Sequence, residues 1–361
     1  MPDWDPRIAE LHQELDKHDL LPLWTQREDL MPTHPLPAAV PHRWRWADLY
    51  ELAARAGELV PVGRGGERRA IALANPGLPN VPHATPTLWA AVQYLGFHEV
   101  APVHRHSQNA FRFVLEGDGV WTVVDRDPIA MRRGDLLLTP GWAWHGHYNT
   151  GDAPMAWLDG LDIPLIGALD NEFFQFGPDT IGDRTTPERS SGELLWGHPG
   201  LRPLSAPRDI STSPLSAYRW EHTDAALTAQ LELEAAGNPH AVTCPGHAAV
   251  RFTNPATGGD ALSTIRMEMH RLRAGARVPA SRESASSVWQ VFTGTGVFHL
   301  DAEHVEVGRG DLVAVPSWTE VAIDAMDELD LFRFSDTPVR ERLGLYLTDA
   351  TNPAATGGTA R

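Results

Sequence analysis

Two histidine pairs, each spaced H-x-H, carry the strongest chemical signal in the chain: His104 with His106, and His145 with His147. Alternate residues of an extended strand share one face, so each pair can present both imidazoles to one interior. Neutral imidazole is a ligand for Fe, Zn, Cu or Ni. One histidine alone reads first as a surface or hydrogen-bonded residue; two H-x-H pairs read as a metal site. Arg112 lies inside AFRFVLEG, an otherwise apolar run. A guanidinium buried there needs a partner, which is either a core carboxylate or the carboxylate of a substrate held bidentately. Arg68 and Arg69 precede another apolar run and offer either a second cation or solvated strand-end charges. Gln93, inside LWAAVQYL, likewise needs a partner from the protein or from a ligand.

The elements that must position these residues are short strands. From about residue 68 to 165, apolar runs alternate with Gly- and Pro-rich turns, the pattern of an all-β sandwich or barrel. A second such set runs from about 248 to 335. The two sets repeat one another. Gly117-Asp118-Gly119 closes a hairpin, followed by Gly134-Asp135, an apolar strand, Pro140 and Trp142. Gly294-Thr295-Gly296 is followed by Gly310-Asp311, an apolar strand, Pro316 and Trp318, with the same Gly-to-Pro and Pro-to-Trp spacings. In that alignment His104, His106, His145 and His147 stand opposite Ser281, Glu283, Val321 and Ile323, and Arg112 stands opposite Trp289. The scaffold landmarks are shared and the histidines are not, so the fold does not require them.

Outside the repeats, residues 5–20 and 47–58 predict short amphipathic helices, and 31–46 predicts an extended arm. Residues 178–222 predict a connection, after which Thr223 caps a helix ending at Gly237-Asn238-Pro239. The expected layout is a helical arm (1–60), a metal-binding barrel (61–177), a connecting segment with a helix (178–245), a degenerate metal-free barrel (246–349) and a flexible tail (350–361).

Composition agrees with a soluble globular chain: 361 residues, 42% hydrophobic and 21% charged. A net charge of −17 argues against a nucleic-acid or anionic-membrane partner. The single cysteine, Cys244, excludes an intrachain disulfide framework and fits a reducing cytoplasm. The acidic N-terminus is no secretory signal, and no apolar run nears the roughly 20 residues of a membrane span.

The run Gly134, Pro140, Trp142, His145, Asn149 resembles the second cupin motif, although the cupin pattern has Gly where this chain has Trp142. His104-Arg105-His106 resembles the first motif, without the Glu ligand that usually follows. With HRHSQNAFRFVLEG, TPGWAWHGHYN and WLDGLD, the chain resembles the gentisate and salicylate 1,2-dioxygenases and their 1-hydroxy-2-naphthoate relatives. That resemblance implies a mainly β bicupin: two double-stranded β-helix (jelly-roll) barrels with short N-terminal and connecting helices. It implies one Fe(II) per chain on His104, His106 and His145, with His147 in the active site as an acid–base or hydrogen-bonding partner. It assigns the substrate carboxylate to Arg112 with help from Arg68, and further pocket positions to Trp89, Gln93 and Asp159. The implied partners are an aromatic hydroxy acid, O2 and further copies of the chain in a homotetramer. The implied reaction opens the ring between its carboxyl- and hydroxyl-bearing carbons, gentisate giving maleylpyruvate. Two other classes fit the same barrel: a Zn, Mn or Ni isomerase or hydrolase, and a non-enzymatic small-molecule-binding protein.

Overall fold

Period-two alternation in the apolar runs is realised as twisted antiparallel sheets, with one side chain in two directed into a barrel and the next directed out of it. A computed structural model describes residues 5–62, 69–179, 181, 187–207, 210 and 212–349, the side chains of 26–29 excepted. Arg68 and the 350–361 tail lie outside the described residues.

The chain divides into two units, residues 1–37 and residues 38–361. The first holds helices Ile8–Asp16 and Leu23–Leu30, with the Trp24 indole donating to His12 at 3.1 Å. The first helix is shorter than its hydrophobic spacing predicts because Asp19 takes a left-handed φ of 55°. None of its residues is buried.

The second unit holds both barrels. In the first, Leu136–Thr139, Ala110–Glu116, Met155–Leu161, Trp89–Leu95 and Ala70–Ala72 form one sheet. Phe174–Phe176, Val100–His106, His145–Asn149, Val120–Val124 and Asp127–Ala130 form the facing one. In the second barrel, Leu312–Val315, Ser287–Thr293, Leu329–Ser335, Arg266–Leu272 and His247–Arg251 face Arg277–Arg282, Glu320–Ala325, Thr295–Leu300 and Glu303–Gly308. The sequence repeat is reproduced in register: His104 pairs with His145, and Ser281 with Val321. Trp142 N–H donates to the His106 carbonyl at 2.7 Å, and Trp318 N–H to that of Glu283 at 2.7 Å. Both tryptophans hold left-handed φ, 69° and 67°, which explains why Gly is favoured at this motif position.

The barrels meet through their outward faces. Phe111 and Phe113 pack against Phe292, Phe332 and Phe334, with Phe113 stacked on Phe332 at 4.1 Å between centroids. Because Phe111, Phe113 and Leu115 point to this shared core, Arg112 and Val114 point into the first barrel.

The expected extended arm (31–46) and the expected connection (178–222) each supply a strand. His42–Trp44 pairs with Leu312–Val315 of the second barrel, and Ala217–Tyr218 pairs with Leu136–Thr139 of the first. Strands of three and two residues are too short to show alternation in sequence. Each leads into a helix beginning at Trp: Trp46–Leu59 packs on the first barrel, and Trp220–Ala235 on the second. Trp46 N–H donates to Asp311 at 2.8 Å and Trp220 N–H to Asp135 at 2.9 Å. The indoles lie so close over Gly310 and Gly134 that a Cβ there would come within 2.1 and 2.8 Å of them. Asp135 thus caps the helix predicted to start at Thr223, whose hydroxyl instead bonds back to Arg219 O at 3.3 Å. Among the described residues no helix is long and apolar enough to cross a membrane.

Inside the second barrel His247 Nε2 and His270 Nδ1 lie 3.0 Å apart. Burial pushes their pKa values down to about 4 and about 3, from an ordinary value of 6.5. The unfolded chain takes up these protons first, so the stabilisation is present above about pH 6.5 and is lost as pH falls toward each folded value. The expected slope is up to ~1.4 kcal/mol per pH unit for each histidine. Urea midpoints measured between pH 7 and pH 4.5 should fall more steeply for the native chain than for a His247→Gln/His270→Gln variant. Equal slopes would refute this assignment.

Candidate metal centre and active site

The strand Val100–His106 runs antiparallel to His145–Asn149, with its pairing interrupted between Ala101 and His104. This brings His104, His106 and His145 together, one ligand nitrogen from each lying within 4.8 Å of the others. Ring centroids are 4.3 Å apart for His104–His145 and 4.9 Å for His106–His145. Each Nδ1 lies against a main-chain carbonyl: Pro102 O at 2.8 Å, Gln108 O at 2.9 Å and Ala143 O at 3.0 Å, in that order. A carbonyl only accepts, so Nδ1 carries the proton and Nε2 is the atom with a lone pair to give. His145 Nε2 is buried without a hydrogen-bond partner, as suits an atom awaiting a cation. Burial holds the His145 pKa well below its ordinary value, reinforced by His104, Arg112 and His106, which keeps the ring in its ligating neutral form. The donor set therefore fits one divalent metal with open coordination positions.

His147, two residues along the same strand, stays outside the triad. It is 1% exposed, with Nδ1 2.8 Å from the Thr122 hydroxyl and its ring 5.6 Å from that of Trp157. Arg112 is 4% exposed. It donates to the Thr139 hydroxyl at 2.7 Å and lies 3.5 Å from Asp159, which also accepts from the Trp157 indole at 3.0 Å. Burial pulls the Arg112 pKa down and Asp159 opposes it. The Nε–H of Arg112 makes no hydrogen bond, so Asp159 balances its charge without saturating its donors. Both partners foreseen for this cation, a core carboxylate and an anionic ligand, are thus compatible with its setting.

Val92 and Ala90 face the shared core, so Trp89 and Gln93 face the barrel interior, opposite Leu161 and Trp157 respectively. Gln93 is buried. Arg69 is a structural cation: it donates to Gly57 O at 2.7 Å and pairs with Glu99. Sequence reasoning missed Thr122, Thr139 and Trp157, whose signal is a polar or indole group at an inward strand position. It also missed Phe174, stacked on His104 with centroids 5.2 Å apart. The three carbonyls that orient the rings have no side-chain signature at all.

The second barrel holds a fixed cation of its own. Arg333, in register with Trp289 as Asp159 is with Arg112, pairs with Glu268 and with Glu283, the residue standing where the first barrel has His106. The Tyr346 hydroxyl donates to Glu283 at 3.0 Å. A guanidinium bonded to the chain supplies the interior positive charge there.

The cupin domain family model matches residues 92–161. A gentisate 1,2-dioxygenase from Streptomyces sp is 64% identical over 341 residues, 94% of this chain and 95% of that one. A 5-aminosalicylate 1,2-dioxygenase from Comamonas sp is 32% identical over 94% of this chain and 89% of its own. Among solved structures, the salicylate 1,2-dioxygenase of Pseudoaminobacter salicylatoxidans in adducts with gentisate superposes with a TM-score of 0.93 at 55% identity, covering 96% of this chain and 95% of that chain. With a three-histidine centre in one of two joined barrels and a likeness spanning nearly its whole length, the chain belongs to the gentisate 1,2-dioxygenase family of bicupin ring-cleaving dioxygenases.

Proposed function

We propose that the protein is an Fe(II)-dependent dioxygenase that opens a 2-hydroxybenzoate ring between its carboxyl- and hydroxyl-bearing carbons, with gentisate as substrate and maleylpyruvate as product. Both atoms of O2 enter the product. One observation carries the reading: three convergent imidazoles share a barrel interior with the buried cation Arg112. His104, His106 and His145 would hold the metal, one per chain, and bound Fe(II) would supply the electron-transfer chemistry that O2 needs to react with an aromatic ring. Arg112 binds the substrate carboxylate, its guanidinium oriented by Thr139 and Asp159. Arg68 is the second cation for that carboxylate on family resemblance. Trp89 and Gln93 form part of the wall. His147, anchored through Thr122, is the acid–base partner for the substrate hydroxyl. The working protein is a cytoplasmic homo-oligomer, a tetramer on the same resemblance.

Salicylate, a substituted salicylate or 1-hydroxy-2-naphthoate is the second reading of the substrate, favoured by the 5-aminosalicylate and salicylate relatives. Oxygen uptake by anaerobically purified protein, loaded with Fe(II) or Zn(II) and offered each acid in turn, decides among these. Gentisate is expected to turn over fastest, and only with Fe(II). Activity with Zn(II) but not Fe(II) would sink the dioxygenase reading, and absence of uptake with every 2-hydroxybenzoate would sink the substrate class.

A further inference from the structure

Two of the three carbonyls that orient the histidine rings belong to turns tied together by one side chain. Asn109 Oδ1 accepts from Gly141 N–H at 3.2 Å, joining the turn that carries Gln108 to the turn that carries Ala143. The Gln108 carbonyl holds His106 and the Ala143 carbonyl holds His145. Gly141 is obligatory in this arrangement, since a Cβ there would stand 2.4 Å from Ser107 O. Asn109 is itself clamped. Its backbone N–H donates to Asp162 at 2.9 Å, and its amide donates to Asp162 at 3.3 Å and to the Thr264 hydroxyl at 3.1 Å. The Thr264 hydroxyl donates in turn to Asp162, which is 1% exposed. Thr264 belongs to the segment that enters the second barrel at Arg266–Leu272.

The repeat supplies a matched counterpart. Asp336, also 1% exposed, accepts from Ser286 N–H at 2.8 Å and from the Thr87 hydroxyl at 2.7 Å, so each barrel's aspartate takes a threonine from the other. In the counterpart Ser286 stands in place of Asn109, its hydroxyl 3.4 Å from that of Ser317 in the equivalent turn, and the position it could orient is Glu283, which is no imidazole. The same latch is present twice, and only one copy ends at a metal ligand.

We propose that the metal-free barrel takes part in the metal centre through this latch. Thr264, Asp162 and Asn109 are positioning residues that fix the Gln108 and Ala143 carbonyls and thereby the Nδ1–H tautomer and ring angle of His106 and His145. The inference rests on the metal reading given above.

The test uses Co(II) alone as probe, titrated into metal-stripped full-length protein, with the visible d–d spectrum and the competition Kd as readouts. Loss of a group that orients a ligand typically weakens metal affinity by about 10–100-fold, and Thr264→Val and Asp162→Asn are expected near the lower end, with a shifted d–d spectrum. Thr264→Ser should restore both readouts. Thr87→Val is the matched control: it removes the equivalent hydroxyl, and should lower the unfolding midpoint about as much as Thr264→Val while keeping the native Kd and spectrum. Where Asp162→Asn does not fold, Thr264→Val carries the test. Native affinity and spectrum in Thr264→Val, or an equal loss in Thr87→Val, would overturn the latch. Native protein that fails to take up Co(II) would remove the metal reading and the latch with it.

Discussion

His106→Ala is expected to leave the protein folded and without bound metal, while Ser281→Ala keeps a full complement. The two residues lie on equivalent strands of the repeat, Ser281 opposite His104 and Glu283 opposite His106, and each strand pairs with its barrel's equivalent of His145–Asn149. Only the first faces two other imidazoles. Removing His106 leaves His104 and His145 as the remaining imidazoles of the cluster, and a ligand contributes more than the supporting partners whose loss costs about 10–100-fold in affinity. The fold should survive, because the second barrel adopts the same architecture with Glu283 and Val321 in place of two of these histidines. Metal content by elemental analysis after anaerobic purification, alongside circular dichroism, reads both parts. Equal metal loss in both variants would refute a single centre.

Arg112→Ala should leave the metal in place and remove most of the substrate affinity. Truncating one partner of a buried, hydrogen-bonded charge pair costs roughly 2–5 kcal/mol, which corresponds to about thirtyfold to several-thousandfold in kcat/KM. The loss should fall mainly on KM, since a carboxylate clamp acts on bound substrate and transition state alike. The alternative is that Arg112 only neutralises Asp159, 3.5 Å away. An Arg112→Ala/Asp159→Ala pair separates the two. It removes the stranded buried carboxylate and should regain stability, but it should not regain KM. Recovery of KM in the double variant, or loss of metal in the single one, would make Arg112 a structural ion pair.

Much of this site was legible because the chain carries its own control. The second repeat shows which landmarks the barrel needs, so histidines confined to the first stood out without any relative to compare. Arg112 was legible as an anomaly, a charge in an apolar strand, but its neighbour Asp159 could not be assigned to it from sequence, because antiparallel register is a tertiary property. The strands within 31–46, expected as an extended arm, and 178–222, expected as a connection, were not legible for the same reason. Strands of two or three residues are fixed by the sheet they join, and their own composition shows no alternation. Helix Trp220–Ala235 begins before its predicted cap because Asp135, far away in sequence, fills that role. What sequence could not show at all is main-chain chemistry, and three carbonyls turn out to orient the three imidazoles.

The crossed strands at His42–Trp44 and Ala217–Tyr218 bear on how the molecule comes to exist at all. During synthesis the first barrel's sheet waits for residues that follow it by some distance, while His42–Trp44 has no partner until Leu312–Val315 leaves the ribosome. Contacts of such separation carry a high loop-closure cost and make folding slow, with unpaired edges and the Phe111–Phe113 face exposed meanwhile. The segment ahead of each barrel supplies a strand to the other: His42–Trp44 completes a sheet of the second barrel, and Ala217–Tyr218, just ahead of the helix on the second, completes a sheet of the first. The barrel that lacks the three histidines is thus tied by its strand pairing to the chain around the barrel that carries them.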